Sequence, residues 1–213
     1  MRGLTTMAVT LGILGAGALP ATAVADQGIQ APWATPVATE PAGNFTLLIA
    51  YAFGYHREGD TFTPGTINEQ LADTVVATLG HRDIPVYAQT EIAEVLKNKY
   101  GMNSVHSIGA ATMAEVERNN PRTIGVAQVV AGERAASKET DTVGVIAFQD
   151  HLWRATRTTM SVGFRAYAPA GIPMPDVYAA DNDQETTKTP EVYRPMDTAA
   201  SIPFLVGTGS AAR

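Results

Sequence analysis

A histidine and an arginine three residues apart are the chemically most suggestive pair in this chain. His151 and Arg154 follow the apolar run of residues 143–148, and their spacing places both side chains on one side of a helix. A short apolar run without polar alternation is typical of a parallel strand that is covered on both faces. The helix that follows such a strand offers free backbone amides at its start. The combination predicts a binding site for an anion.

The local pattern also predicts where this helix begins and ends. Asp150 is predicted to be the N-cap, because its carboxylate can accept hydrogen bonds from the amides of the next turn. Gly163 is predicted to end the helix, and residues 164–168 to form the next strand. The segment is therefore interpreted as a strand, a helix and a second strand.

Further polar residues follow two other apolar runs. Residues 45–52 and 84–88 predict buried strands; His56 lies in the loop after the first, and Gln89 and Glu91 follow the second. Residues 103–108 predict a further short strand. Because the carboxyl ends of parallel strands meet at one edge of a sheet, we expect the side chains of His56, Gln89 and Glu91 to lie near His151 and Arg154.

Helical patterns separate the predicted strands. Residues 66–79 carry an apolar stripe, and Thr66 with Glu69 fits a capping box at its start; Asn68, between them, is a candidate ligand-binding residue. Thr112 and Glu115 fit a second capping box. Residues 121–136 predict another helix, although the β-branched residues in 123–130 would also suit a strand. Helix is preferred because it maintains the alternation of strands and helices.

This alternation predicts an α/β fold, a Rossmann-like three-layer sandwich with a mainly parallel sheet of four or five strands. The crossovers between parallel strands are expected to be right-handed. In such folds a ligand binds at the carboxyl ends of the strands, near the point where the strand order reverses. The predicted site lies at that edge.

Composition limits the class of protein. The chain has 213 residues, 45% of them hydrophobic, which suits one domain with appendages. A net charge of -6 argues against binding a nucleic acid polymer, because a general phosphate-binding surface needs excess positive charge. The absence of cysteine excludes disulfides and thiolate nucleophiles.

The amino-terminal residues predict an exported protein. Residues 1–25 combine Arg2, an apolar stretch and two small-residue cleavage patterns, as in a secretory signal peptide. A membrane anchor or an apolar helix of the fold is the alternative, and the apolar run is shorter than the ~20 residues that span a bilayer. We expect no stable membrane anchor after signal cleavage.

Beyond the signal peptide, three regions are predicted. Residues 26–44 form a Pro- and Ala-rich linker, residues 45–170 the α/β domain, and residues 171–213 an irregular C-terminal extension that wraps the domain or is partly disordered. On this division the fold begins at Phe45.

Several chemistries are disfavoured by missing motifs. The chain has no P-loop, no G-x-S-x-G elbow, no H-E-x-x-H zinc motif and, after the signal peptide, no dinucleotide fingerprint. The sequence therefore indicates neither a metal site nor a particular cofactor. Acid–base chemistry through His151 and Glu91 remains possible, and so does binding without chemistry.

Each candidate residue also has a structural explanation. Glu69 suits a capping box better than catalysis, and Asn68 is equally compatible with either role. Glu91 can simply interact favourably with the helix dipole. His151 and Arg154 can lie on a solvated helix face.

The same segments resemble a known family. Residues 143–169 resemble the final strand–helix–strand unit of the DUF218 family, which includes YdcF-like, SanA-like and ElyC-like envelope proteins. The matching positions in this unit are His151, Arg154, Ala155 and Gly163. Residues 63–72 and 84–96 resemble early segments of the YdcF-like branch. Their matching polar positions are Asn68, Glu69, Gln89 and Glu91.

The resemblance spans roughly residues 45–169 and implies a Rossmann-like fold. Some members of the family are linked to cell-envelope polysaccharide metabolism, but the family is largely without an assigned reaction, so the resemblance does not imply one. The chain departs from common members by lacking their glycine-rich first turn and by its secreted rather than membrane-anchored start.

The sequence thus predicts a secreted DUF218-like domain that binds a small anionic ligand, such as a nucleotide or a phosphorylated envelope precursor. We expect His151 and Glu91 to share any proton transfers. The predicted ligand-binding residues are His56, Asn68, Gln89, Asp150 and Arg154. The alternative is a non-catalytic exported interaction protein with no small-molecule site.

Overall fold

The structure, a computed structural model, describes residues 30–109 and 122–206. The strands are β1 (Thr39–Glu40), β2 (Leu47–Ala50), β3 (His56–Glu58), β4 (Thr61–Thr63), β5 (Val86–Gln89), β6 (His106–Ile108), β7 (Thr142–Ile146) and β8 (Arg165–Pro169). The α-helices are α1 (Gly65–Leu79), α2 (Thr90–Tyr100), α3 (Thr123–Glu133), α4 (Gln149–Ser161) and α5 (Pro190–Val206). The predicted signal peptide lies outside the described residues.

Six strands form one parallel sheet in the order β1–β8–β7–β2–β5–β6. The hairpin of β3 and β4 stands apart from it. All four residues of β2 are buried, because this central strand is hydrogen-bonded on both edges and covered on both faces. The predicted α/β class and the mainly parallel sheet between helices are confirmed.

The strand order reverses beside β2. The chain runs from β2 outward to β5 and β6, and then returns to the other side of β2 to form β7 and β8. Ala50 is paired with Ile146, so the carboxyl ends of β2 and β7 lie side by side. A crevice at this switch point is where α/β sheets bind ligands.

The helices fit the predicted pattern better than their caps do. The segment 123–130, which also suited a strand, is helical in α3. The predicted capping box of Thr66 and Glu69 is wrong, because α1 begins at Gly65 and no side chain caps it. The predicted N-cap role of Asp150 is wrong too, since Phe148 is the N-cap of α4 and Asp150 lies in the first turn. The capping box of Thr112 and Glu115 lies outside the described residues.

Both flanking segments belong to the fold. Thr39 in the expected linker pairs with Ala168 in β8, so the sheet has six strands and the fold begins before Phe45. The C-terminal extension, expected to be irregular, contains the 17-residue helix α5. Pro195 and Pro203 lie inside α5 and hid its pattern, because proline lacks a backbone donor and disfavours helix interiors.

No helix among residues 30–109 and 122–206 has the length and apolar character needed to cross a membrane.

Close packing of the two central strands generates a stability prediction. A Cβ added at Gly144 of β7 would lie 2.5 Å from Leu48 Cδ2 and 2.8 Å from Phe45 Cδ2. Both neighbours are buried, so we expect Gly144→Ala to lower the free energy of unfolding by about 1 to 3 kcal/mol. Urea denaturation measures this change.

Gly132 in α3 provides the matched control, because a Cβ there would meet no atom within 4 Å. We expect Gly132→Ala to be neutral or to stabilise the protein by up to about 1 kcal/mol. Equal destabilisation by both substitutions would contradict the packing argument.

Candidate functional site

A cavity of about 330 Å³ lies at the switch point of the sheet. Its walls come from the loop after β2, the first turns of α2, α3 and α4, and the C-terminal extension. The lining residues are Ala52, Phe53, Gly54, Gln89, Glu91, Arg122, Thr123, His151, Arg154, Gln184, Thr186, Thr187, Tyr193 and Met196. A volume of this size suits a small molecule.

Four of the predicted site residues meet at this cavity: Gln89, Glu91, His151 and Arg154. They come from segments about 60 residues apart, as expected from the shared carboxyl edge of β5 and β7. Gln89 also stabilises this edge, since its Oε1 accepts a 2.9 Å hydrogen bond from the Ala52 amide.

Three other predicted ligand-binding residues do not line the cavity. The His56 side chain lies near Asp181 and Asp183 in the C-terminal extension, at 3.7 and 4.0 Å. Asn68 is completely buried, and it accepts a 2.9 Å hydrogen bond from the Phe53 amide while donating one of 2.7 Å to the Gly54 carbonyl. Asn68 therefore holds the loop after β2 in place.

Asp150, the third of these residues, faces the C-terminal extension. Its Oδ2 accepts hydrogen bonds from the Tyr178 hydroxyl at 2.6 Å and from Arg194 Nε at 2.7 Å. Asp150 thus connects α4 to the extension instead of capping a helix or facing the cavity.

Glu91 is a buried carboxyl group that forms no ion pair with the residues that the structure describes. It lies in the first turn of α2 and is 6% exposed. Burial raises its pKa to about 7, repulsion from Glu94 acts in the same direction, and the Glu91 backbone amide opposes the shift. A carboxyl group with this pKa exists in both protonation states near neutral pH, so it can donate or accept a proton.

His151 is shifted in the opposite direction. Burial lowers its pKa to about 4, the positive charge of Arg154 acts in the same sense, and the carboxylate of Asp197 opposes the change. The imidazole ring lies near the rings of Tyr51 and Tyr193, with both ring pairs edge-to-face at centroid distances of 6.0 and 6.3 Å. His151 is therefore neutral at physiological pH.

Arg154 forms a buried ion pair with Asp197 of α5. Arg154 Nε lies 2.6 Å from Asp197 Oδ1, and the Tyr193 hydroxyl donates to the same oxygen at 2.9 Å. Burial favours protonation of Asp197, but the contacts with His151 and Arg154 outweigh it and lower the pKa of this carboxyl. The positive charge of Arg154 is thus already balanced inside the protein.

Sequence reasoning missed Asp197 because it lies in the extension that was expected to be irregular. One signal was present: Tyr193 and Asp197 are four residues apart, which places both on one face if the segment is helical.

The start of α3 contributes two further residues, Thr123 and Arg122, which were not among the predicted site residues. Thr123 Oγ1 accepts a 2.9 Å hydrogen bond from Arg154 Nη1 and lies 3.4 Å from His151 Nε2. The neighbouring Arg122 lines the cavity, is exposed, and forms no ion pair with a described residue. Their position at a predicted helix start was the available signal.

Two buried polar atoms of the site lack a hydrogen-bond partner within the part of the chain that the structure describes. They are His151 Nδ1 and Asp197 Oδ2. His151 Nδ1 lies 3.5 Å from Asp197 Oδ1, which is an electrostatic contact rather than a good hydrogen bond. Unsatisfied buried groups are rare in proteins and often belong to functional sites.

Comparisons of the chain with protein-family models, curated proteins and solved structures found no match. No cluster of three or more His, Asp or Glu side chains suited to a metal ion occurs in residues 30–109 and 122–206.

The buried ion pair predicts an unequal effect of two aspartate substitutions. Asp197→Ala removes the partner of Arg154, whose side chain is only 16% exposed. We expect a loss of about 3 kcal/mol in the free energy of unfolding, because an uncompensated buried charge remains.

Asp73 is the control, since its ion pair with Lys99 is about half exposed on both sides. Asp73→Ala should cost less than about 1 kcal/mol. Guanidinium denaturation of both variants measures the difference, and comparable losses would contradict a buried role for Asp197.

The opposite pKa shifts of Glu91 and His151 predict compensating effects of pH on stability. The pKa of Glu91 rises from 4.5 to about 7 on folding, so its contribution to stability falls as pH rises through this range. The pKa of His151 falls from 6.5 to about 4, so its contribution rises with pH between these values. Between pH 4.5 and 6.5 the two slopes nearly cancel.

Removing either group should reveal the slope of the other. As the pH rises from 4.5 to 6.5, we expect the free energy of unfolding of Glu91→Gln to increase by about 2 to 3 kcal/mol and that of His151→Gln to decrease by a similar amount. That of the wild type should stay nearly constant. Urea denaturation across this pH range, with the exposed Glu69→Gln as control, measures the slopes. Curves parallel to wild type for both site variants would show that neither pKa is shifted.

Proposed function

We propose that this protein is a secreted DUF218-like domain that binds a small anionic ligand in the cavity at the switch point and carries out acid–base chemistry on it. The observation that supports the proposal most strongly is the presence of Glu91 and His151 in the same cavity. Both are buried, both line one cavity, and burial shifts their pKa values in opposite directions. Titratable groups with strongly shifted pKa values in a cleft are typical of functional sites.

The two groups have complementary capacities near pH 7. His151 is neutral, and its lowered pKa makes it a weaker proton acceptor than a free imidazole, whereas Glu91 is about half protonated and can supply or accept a proton. An acid and a base in one cavity would allow proton transfer at two positions of a bound ligand. If Glu91 and His151 had only a structural role, burying two titratable groups would lower the stability of the protein with no functional benefit.

Positive charge at the cavity favours an anionic group on the ligand. The sequence predicted Arg154 as its anchor, but Arg154 is paired with Asp197. We therefore assign the anion contact to Arg122, together with the free amides at the start of α3. Arg154 would instead hold Thr123 and Asp197 in position.

The nature of the ligand follows from size and from sequence. A cavity of about 330 Å³ suits a nucleotide or a phosphorylated envelope precursor better than a polymer. The predicted signal peptide and the resemblance to the DUF218 family favour a substrate in the cell envelope, outside the cytoplasm.

A thermal-shift titration tests this proposal. Inorganic phosphate, nucleoside monophosphates, sugar phosphates and lipid-phosphate analogues are the probes, and a probe that binds only the folded state raises the melting temperature. We expect Arg122→Ala to weaken the affinity for the best probe by about ten- to a hundredfold, corresponding to the loss of a charged hydrogen bond.

Arg157→Ala is the matched control, because Arg157 is exposed on α4 and does not line the cavity. It should leave the affinity unchanged. A folded protein that responds to none of the probes would reject the proposed site and favour the alternative, an exported interaction protein without a small-molecule ligand.

A further inference from the structure

Thr123 occupies a position that the acid–base proposal leaves unexplained. It lies at the first residue of α3, lines the cavity, and directs its hydroxyl oxygen toward two polar groups of α4. Arg154 Nη1 donates to this oxygen at 2.9 Å, and His151 Nε2 lies 3.4 Å away. A hydroxyl group between a cation and a neutral imidazole is the environment of an activated nucleophile.

The three side chains Thr123, His151 and Asp197 form a continuous series. Asp197 Oδ1 lies 3.5 Å from His151 Nδ1 on the far side of the imidazole ring from Thr123. A proton on Nδ1 faces the buried carboxylate and leaves the Nε2 lone pair directed at the threonine hydroxyl. This is the order of nucleophile, base and orienting carboxylate found in hydrolytic triads.

The contact distances are longer than ideal hydrogen bonds. Catalytic hydrogen bonds without substrate are often long and shorten only in the reacting complex. The absence of a described hydrogen-bond partner for His151 Nδ1 is consistent with this. A purely structural cluster would be expected to satisfy a ring nitrogen that is almost fully buried.

We propose that Thr123 Oγ1 is a nucleophile that attacks the phosphorus atom of a phosphate monoester bound in the cavity, with His151 as its base and Asp197 as a positioning residue. This inference rests on the proposed function and names its substrate class. A phosphoryl group fits the surroundings better than a neutral carbonyl because the exposed Arg122 lies at the cavity, and a guanidinium group matches phosphate oxygens.

In the first step, the Thr123 oxygen forms a bond to phosphorus and the hydroxyl proton moves to His151 Nε2. The bond from phosphorus to the ester oxygen breaks, and its electron pair stays on that oxygen. The Glu91 carboxyl group donates its proton there, so an alcohol leaves. A phosphothreonine and a Glu91 carboxylate remain.

In the second step, a water molecule attacks the phosphorus and gives a proton to the Glu91 carboxylate. The bond from phosphorus to the Thr123 oxygen breaks with its electron pair on that oxygen, which recovers the proton from His151. The net reaction converts ester and water to alcohol and phosphate. All three protein groups return to their starting states.

The test uses p-nitrophenyl phosphate with the folded protein. We expect release of p-nitrophenol and phosphate, and an acid-quenched sample with one phosphoryl group on the peptide that contains Thr123. Thr123→Val retains the shape of the side chain and should lower the rate by about 10² to 10⁴-fold. Thr123→Ser retains a hydroxyl and should stay within about tenfold of wild type.

Thr66→Val is the matched control, because Thr66 is exposed on α1 away from the cavity lining. Its rate should equal that of wild type. Melting temperatures establish that each variant is folded. Turnover that persists in Thr123→Val would overturn the assignment of the nucleophile, and a preference for p-nitrophenyl acetate with acylation of Thr123 would overturn the choice of phosphate.

Failure of this inference is distinguishable from failure of the proposed function. A protein that binds inorganic phosphate through Arg122 but does not hydrolyse p-nitrophenyl phosphate retains its anion site and lacks the nucleophile. A protein that neither binds inorganic phosphate nor hydrolyses p-nitrophenyl phosphate would contradict both proposals.

Discussion

The buried ion pair between Arg154 and Asp197 is the interaction on which the site depends. It joins α4 of the α/β core to α5 of the C-terminal extension, with Nε and Oδ1 2.6 Å apart. Each charge would be costly alone in this environment, so the two helices can bury these groups only together. Asp197 also lies beside His151, and Arg154 holds Thr123. The ion pair therefore positions the polar groups of α3 and α5 around α4.

A second group of contacts, in the first turn of α4, supports the same arrangement. Asp150 accepts hydrogen bonds from Tyr178 and Arg194, and the Arg194 guanidinium lies 4.3 Å from the centroid of the Trp33 ring. The amino-terminal segment and α5 are thereby connected through one arginine. With α5 held in place, Glu91 and His151 are buried, and desolvation shifts their pKa values in opposite directions.

The fold could be predicted largely from local patterns. The apolar runs that became β2, β5 and β7 and the helical stripe of α1 identify a parallel sheet between helices, because burial on both faces leaves a continuous apolar run. β1 could not be predicted in this way, since a two-residue edge strand carries too little pattern. Helix α5 was hidden by Pro195 and Pro203, which a helix tolerates when its other contacts compensate.

The edge of the sheet at which polar residues gather can be read from local sequence, because a residue that directly follows a parallel strand lies near its carboxyl end. Gln89, Glu91, His151 and Arg154 were identifiable on that basis. The electrostatic partners of these residues depend on long-range packing. Asp197 lies 43 residues after Arg154, and no local pattern encodes the packing of α5 against α4. Burial, charge compensation and pKa values depend on such distant contacts, so they arise only when the chain is folded.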